Sequence, residues 1–343
     1  MPHEAKGAQA RLAGRPELWL DKSIFLGMEL VMTLIVAGYT GVASWNTKLY
    51  DRIFFVGDTL LSQDGRFDKR DRLIEIFKKI RSIPVKVWSP SFDLEGSFRR
   101  YFESFTSTCV IAFSGSALTF GHMINGIQEH LGQLRYTFVD GQFKIVKHCS
   151  DQAIQVNHAE FWDDDIVFDS RNLPALTADF QMEVISHVIR RALKDVSAHR
   201  LLDQSTFNAI RCQLAVALYC WEARKPALYQ VEVVLTDEFP KYATLKYRRL
   251  EENEIVVLGR SLQEEAEQLM KTLREAPEPP ARKSKPGAYH DRGTEDLRVA
   301  KGLVRKEILA DEEGELNYVG GLIDCWEFAY NGSTEQWYER PTP

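Results

Sequence analysis

The chain has 343 residues, 44% of them hydrophobic, and a formal net charge of −6. That is enough apolar material for one large domain or two ordinary ones, and the acidic balance excludes the broad basic surface that nucleic acid requires. The five cysteines (Cys109, Cys149, Cys212, Cys220 and Cys325) are odd in number and show no CxxC or Cys/His metal spacing. They read as buried, reduced thiols of a cytoplasmic protein, with no metal or cofactor expected.

Residues 24–45 are apolar enough to raise the question of a membrane anchor, but Glu29 interrupts them and two glycines follow. A spanning helix needs about 20 predominantly apolar residues, and no small-residue cleavage site follows a basic start, so no membrane association is expected. Residues 1–32 read instead as a leader or as an untranslated extension. Met32 is followed by Thr33, and the codons of Met28-Glu29 must contain a purine-rich run where a bacterial ribosome-binding site for Met32 would lie.

From Thr33 onward, residues 33–42 and 52–62 are apolar and β-branched segments of strand length. The polar stretch Gly41 to Asp51 between them predicts a long-looped hairpin. LIEIFKKIRSI is ambiguous between helix and strand, and VKVWS reads as a short strand between Pro84 and Pro90. Residues 91–105 place Phe92, Leu94, Phe98, Tyr101, Phe102 and Phe105 at helical spacing and predict an amphipathic helix. The apolar strand TSTCVIAFSG then turns at Ser114-Gly115-Ser116 into a helix through Leu118, Met123, Ile127 and Leu131.

Residues 136–172 mix short strands and turns and hold the acidic run Asp163–Asp165, which reads as an exposed loop. A long helix is predicted over about 175–201, followed by strands at 212–221, 227–235 and 242–250. EIVVLGR is a further strand that runs into the helix SLQEEAEQLMKTLREA. The Pro- and charge-rich stretch 276–292 reads as a mobile loop. A last helix at about 294–310 leads to two strands within LNYVGGLIDCWEFAY, and 332–343 reads as an irregular tail. His122, His130, His187 and His199 fall at helical positions and read as surface or core histidines.

This order of strands, two helices, strands, two helices, strands predicts an α+β fold. Its form would be a four-layer αββα sandwich, two antiparallel sheets between helix layers, because each strand run needs a cover. It makes residues 33–331 one domain, with 81–106 as an insertion.

Several motifs come in a telling order: Thr33 opening the first strand, Gly57-Asp58 closing the second, Lys78-Lys79-Ile80, Phe113-Ser114-Gly115-Ser116 entering a helix, and Val319-Gly320-Gly321 before the last strands. Together they resemble proteasome β-subunits and HslV-like proteins, which are N-terminal nucleophile hydrolases. The resemblance implies a threonine-type endopeptidase in which Thr33 is the nucleophile and its own α-amine the base. It also implies that Asp58 holds Lys79, with Lys78 the alternative, and that Lys79 favours the developing alkoxide. An N–H of Gly115 or Ser116 would form the oxyanion hole, and Ser261 would support the nucleophile.

The resemblance further implies a peptide or protein substrate, a homo-oligomer and an ATPase as possible partner, since no phosphate-binding loop lies in this chain. Two departures stand out. Asp58 lies 25 residues beyond Thr33 (58 − 33), wider than a tight hairpin, so a loop holding Trp45 and Tyr50 should bulge outward. Val319 stands where a supporting serine belongs, with Asp311 as substitute for a second aspartate. The other reading open to the sequence is a non-catalytic scaffold or sensor in which Thr33 is never exposed.

Overall fold

A hairpin positions everything at the candidate site. β1 (Leu34–Ser44) and β2 (Thr47–Asp58) run antiparallel from Ile35↔Gly57 to Ser44↔Thr47, with one register shift between Thr40 and Val42. Residues 41–44 and 47–51, expected in an outward loop, are therefore strand, and Tyr50 lies within β2. The strands absorb the long spacing because a ladder continues wherever backbone donors and acceptors can pair. In this computed structural model the described residues are 33–44, 47–64, 70–139, 141–150, 168–198, 203–237, 241–259, 262–275, 292–314, 319–329 and 332–342.

The fold is mixed α+β. β12 (Ile255–Gly259) joins the free side of β1, while β13 (Ile323–Phe328) and β14 (Thr334–Glu339) extend the sheet beyond β2, giving the order β12-β1-β2-β13-β14. A seven-stranded sheet has the order β11-β10-β9-β6-β5-β7-β8. Its members are β5 (Ile80–Phe92), β6 (Phe98–Gly115), β7 (Leu134–Val139), β8 (Gln142–Val146), β9 (Cys212–Cys220), β10 (Lys225–Leu235) and β11 (Ala243–Arg249). Its pairs are antiparallel except β5 with β7. A short ribbon, β3 (Leu61–Asp64) with β4 (Arg70–Ile74), stands apart.

The helices are α1 (Ala117–Leu131), α2 (Ala178–Ala198), α3 (Gln204–Ile210), α4 (Gln263–Glu275) and α5 (Arg292–Gly314). Strand alternation sorts the side chains into three apolar clusters. Leu34, Val36, Phe54 and Val56 pack with Val304 and Ile308 of α5. Ile35, Ala37 and Phe55 on the opposite face meet Val110, Ala112, Ala215 and Ala217 of the second sheet. Ile111, Phe113, Leu214 and Val216 turn the other way, toward Met123 and Ile127 of α1 and Ile185 and Ile189 of α2. The small alanines let the sheets approach, and strands covered on both faces read as continuous apolar runs.

Two local expectations are corrected. Residues 91–105 do not form a helix. They belong to β5, a turn and β6, which pair from Ile80↔Ala112 to Phe92↔Phe98. The turn is closed by Asp93 Oδ1, which accepts the N–H groups of Glu95 and Ser97, and the strand wins because its continuation pairs with β9. The 81–106 stretch is thus most of the β5–β6 hairpin. The tail is also ordered: β14 pairs with β13 from Phe328↔Thr334 to Ile323↔Glu339. Among the described residues, no helix is long and apolar enough to cross a membrane.

Asp324 is buried in β13 opposite Gly57. Its Oδ1 accepts from Gln336 Nε2 at 2.9 Å, and Oδ2 has no hydrogen-bond partner among the described residues. Burial pushes the carboxyl up to about 6, against the pull of Gln336. A carboxyl raised on folding contributes stability that is present below about pH 4 and lost as pH rises through about 6. Asp324→Asn is therefore expected to stabilise the protein at pH 8 by on the order of 2 kcal/mol, with little effect at pH 4, in urea unfolding at the two pH values.

Candidate functional site

Thr33 immediately precedes β1 and is 3% exposed. Its neighbour Leu34 pairs with Gly259 at the end of β12, and the approach is so close that a Cβ at Gly259 would lie 1.8 Å from the Thr33 carbonyl oxygen. Gly259 also has φ +94°, a backbone region that side chains disfavour. The same Cβ would stand 2.9 Å from Ser114 Oγ, and the Gly259 N–H donates to Gln213 Oε1 at 3.3 Å. Groups from β6 and β9 of the second sheet thus meet Gly259, which lies against the Thr33 carbonyl.

Asp58 ends β2, with its carboxylate fully buried. Oδ1 accepts the Leu34 N–H at 2.9 Å, and Oδ2 accepts those of Leu60 at 3.2 Å and Gly320 at 3.3 Å. Lys79 Nζ donates to both oxygens, at 3.0 and 2.9 Å. Lys79 is 2% exposed while Lys78 is exposed, so the buried member of the Lys-Lys step is the second. Burial pushes the Lys79 ammonium down from its ordinary value, opposed by the Asp58 charge. Burial likewise pushes Asp58 up, opposed by Lys79 and by the Leu34 and Gly320 N–H groups.

The loop before β13 completes the carboxylate cage. Asp311 Oδ2 accepts the Val319 N–H at 2.6 Å, and the Gly320 carbonyl accepts from Thr59 and Leu60. Asp311 therefore acts one step from the carboxylate by holding the loop whose Gly320 reaches Asp58, and Val319 is a buried core residue. The Thr59 hydroxyl donates to the Glu75 carbonyl and accepts from Leu322, and a Cβ at Gly321 would lie 2.5 Å from it.

Gly115 has φ +108°, and a Cβ there would meet the Arg211 carbonyl oxygen at 2.3 Å. The Ser116 N–H donates to that same carbonyl at 3.1 Å, and the Ser116 hydroxyl caps α1 through Thr119. The Ser116 N–H is thus committed to the fold, which removes it as an oxyanion donor. Alternation along β6 directs the Gly115 N–H to the edge where Phe113 donates to the Lys79 carbonyl. Ser261 lies outside the described residues, as do Trp45, Asp163–Asp165, His199 and residues 1–32 and 276–291.

Sequence reasoning singled out Thr33, Asp58, Lys79 and Gly115, which the structure brings to one end of the two sheets. It gave no role to Thr59, Ser114, Gln213 or Gly259. Gly259 carried a signal, a glycine at a strand end, whereas Gln213 carried none.

No family model matches this sequence, and no curated protein matches it. Among solved structures it is similar to a Gly-1 mutant of Anbu from Hyphomicrobium sp. strain MC1, at 11% identity and TM-score 0.43, covering 89% of this chain and 86% of that one. It is also similar to Anbu, an ancestral beta-subunit, from Yersinia bercovieri, at 12% identity and TM-score 0.39, covering 89% and 87%. These findings correct the family assignment drawn from the motifs. The similarity is distant, below the level at which a fold or an activity transfers, and the chain is not placed among proteasome β-subunits or HslV-like proteins.

Removing one partner of a buried ion pair leaves the other charged and desolvated, at a cost of about 3–5 kcal/mol. Asp58→Asn and Lys79→Met are each expected to destabilise the protein by that order in denaturant titrations. The double variant should cost clearly less than their sum, and simple additivity would contradict the pairing.

Proposed function

We propose that this chain is an amide-bond hydrolase, a threonine-type peptidase whose nucleophile is Thr33 with a free α-amine. The observation that carries the reading is the buried Lys79–Asp58 pair, tied by a hydrogen bond to the Leu34 N–H, one peptide bond from Thr33. The α-amine takes the proton of the Thr33 hydroxyl, and Oγ attacks the substrate carbonyl carbon. The Gly115 N–H stabilises the resulting oxyanion, with the Lys79 ammonium contributing its field. Collapse breaks the C–N bond, the amine leaves with the proton held by the α-ammonium, and water then hydrolyses the threonyl ester.

A groove of about 500 Å³ runs between Arg81–Ile83 at the start of β5 and the first turns of α1, lined also by Leu118, His122 and Gln128. Its lining starts two residues after Lys79 and one after Ser116 in the chain, and the proposal assigns an extended peptide to it. The proposal treats residues 33–331 as one domain, reads its three apolar clusters as a four-layer αββα sandwich, and takes the Met32–Thr33 bond as the processing point. Buried thiols at Cys109, Cys212, Cys220 and Cys325 support a cytoplasmic protein. Exposed Leu73, Ile74, Ile76 and Leu118 support self-association.

An electrophilic peptide epoxyketone is expected to form an adduct on Thr33 using both the hydroxyl and the amine, seen by mass spectrometry and lost in Thr33→Ala. Absence of an adduct in protein whose first residue is Thr33 would favour the non-catalytic scaffold. An ordinary α-amine titrates at roughly 7.7–8.0. The rate of an amide reporter should therefore rise through that range as the base is deprotonated, and a flat profile from pH 6 to 9 would count against the amine as base.

A further inference from the structure

A second cluster of chemically active groups lies on the helical face of the seven-stranded sheet. His130 stands in the last turn of α1 and is buried, His187 lies in α2, and Cys149 follows β8 in a turn. Cys149 is exposed, unlike the other four cysteines, which corrects the reading of all five as buried. Its Sγ lies 3.8 Å from His130 Nδ1 and 3.6 Å from His187 Nε2, and the three atoms all lie within 4.8 Å of one another. A tetrahedral zinc ion with Zn–S of about 2.3 Å and Zn–N of about 2.0–2.1 Å separates sulfur from nitrogen by about 3.6 Å.

An independent observation points the same way. The His148 ring stands 4.6 Å from that of His130, and its buried Nδ1 has no hydrogen-bond partner among the described residues. A buried imidazole nitrogen without a partner is costly unless a ligand or water satisfies it. The nearby charges are mixed: Lys147 pairs with Glu183 at 2.8 Å, while Glu129, Arg190 and Arg191 border the rings.

We propose that His130 Nδ1, His187 Nε2 and Cys149 Sγ form a binding site for a borderline-soft divalent cation of the zinc class. Two imidazoles and a thiolate select such an ion over calcium or magnesium. The three ligands come from α1, α2 and the turn after β8, so the ion clips these segments together, with the His148 ring packed against that of His130. The site is independent of Thr33 chemistry.

The test uses the full chain, stripped with a chelator and titrated with Co(II) and, in equilibrium dialysis, with Zn(II). One ion per chain is expected, with a thiolate-to-Co(II) charge-transfer band and tetrahedral visible absorption. Cys149→Ser should abolish the charge-transfer band, and His187→Gln should weaken Zn(II) binding roughly tenfold or more. Circular dichroism of both variants should match the parent, since Cys149 is exposed and His187 half-buried. No charge-transfer band in the folded parent, or Zn(II) binding of unchanged affinity in Cys149→Ser, would overturn the proposal.

Discussion

The Asp58 carboxylate is the constraint on which the site depends. A buried charge is stable only when its oxygens are fully engaged, and here the partners come from four places in the chain: Leu34 at the start of β1, Leu60 after β2, Gly320 before β13, and Lys79 ahead of β5. Lys79 belongs to the second sheet through its carbonyl, which accepts from Phe113. The ion pair is thus a polar bridge beside an otherwise apolar interface made by Ile35, Ile80, Ala112 and Phe55. Satisfying one carboxylate fixes where the first strand begins relative to the other sheet, and with it the position of Thr33.

Around that bridge, the backbone must come closer than side chains allow. Gly259 lies against the Thr33 carbonyl, and Gly321 against the Thr59 hydroxyl and the Glu75 carbonyl. Asp311 anchors Val319 and so aims the Gly320 N–H at Asp58. Such a site tolerates little displacement. Its polar groups are held by backbone donors whose positions are set by strand register.

Much of the scaffold was legible in the sequence. The helical period gave α1, α2 and α5, and apolar runs between turn signals gave β9 to β12, because those elements bury one face or both. Phe98, Tyr101, Phe102 and Phe105 fit a helix equally well by spacing. Their strand is decided by pairing with β5 across the turn, from Val87↔Phe105 to Phe92↔Phe98, which the spacing of apolar residues within one segment does not reveal. β14 went unrecognised because an edge strand with Gln336 and Tyr338 facing outward has little apolar signal. At the site, Asp58 and Lys79 were visible as Gly-Asp and Lys-Lys steps. Gln213 was not, and the roles of Ser114 and Gly259 were not, since they arise from contacts between strands distant in the chain. The grouping of His130, Cys149 and His187 was hidden because two helices and a turn bring together residues 19 and 38 positions apart.

The central claim is that catalysis begins with a free α-amine on Thr33. Intact-mass analysis of protein expressed from its own gene context, paired with an amide-hydrolysis assay of the same preparation, tests it most directly. The mechanism predicts a mass beginning at Thr33 in the fraction that hydrolyses the reporter. A fully active fraction whose mass retains Met32 would contradict it.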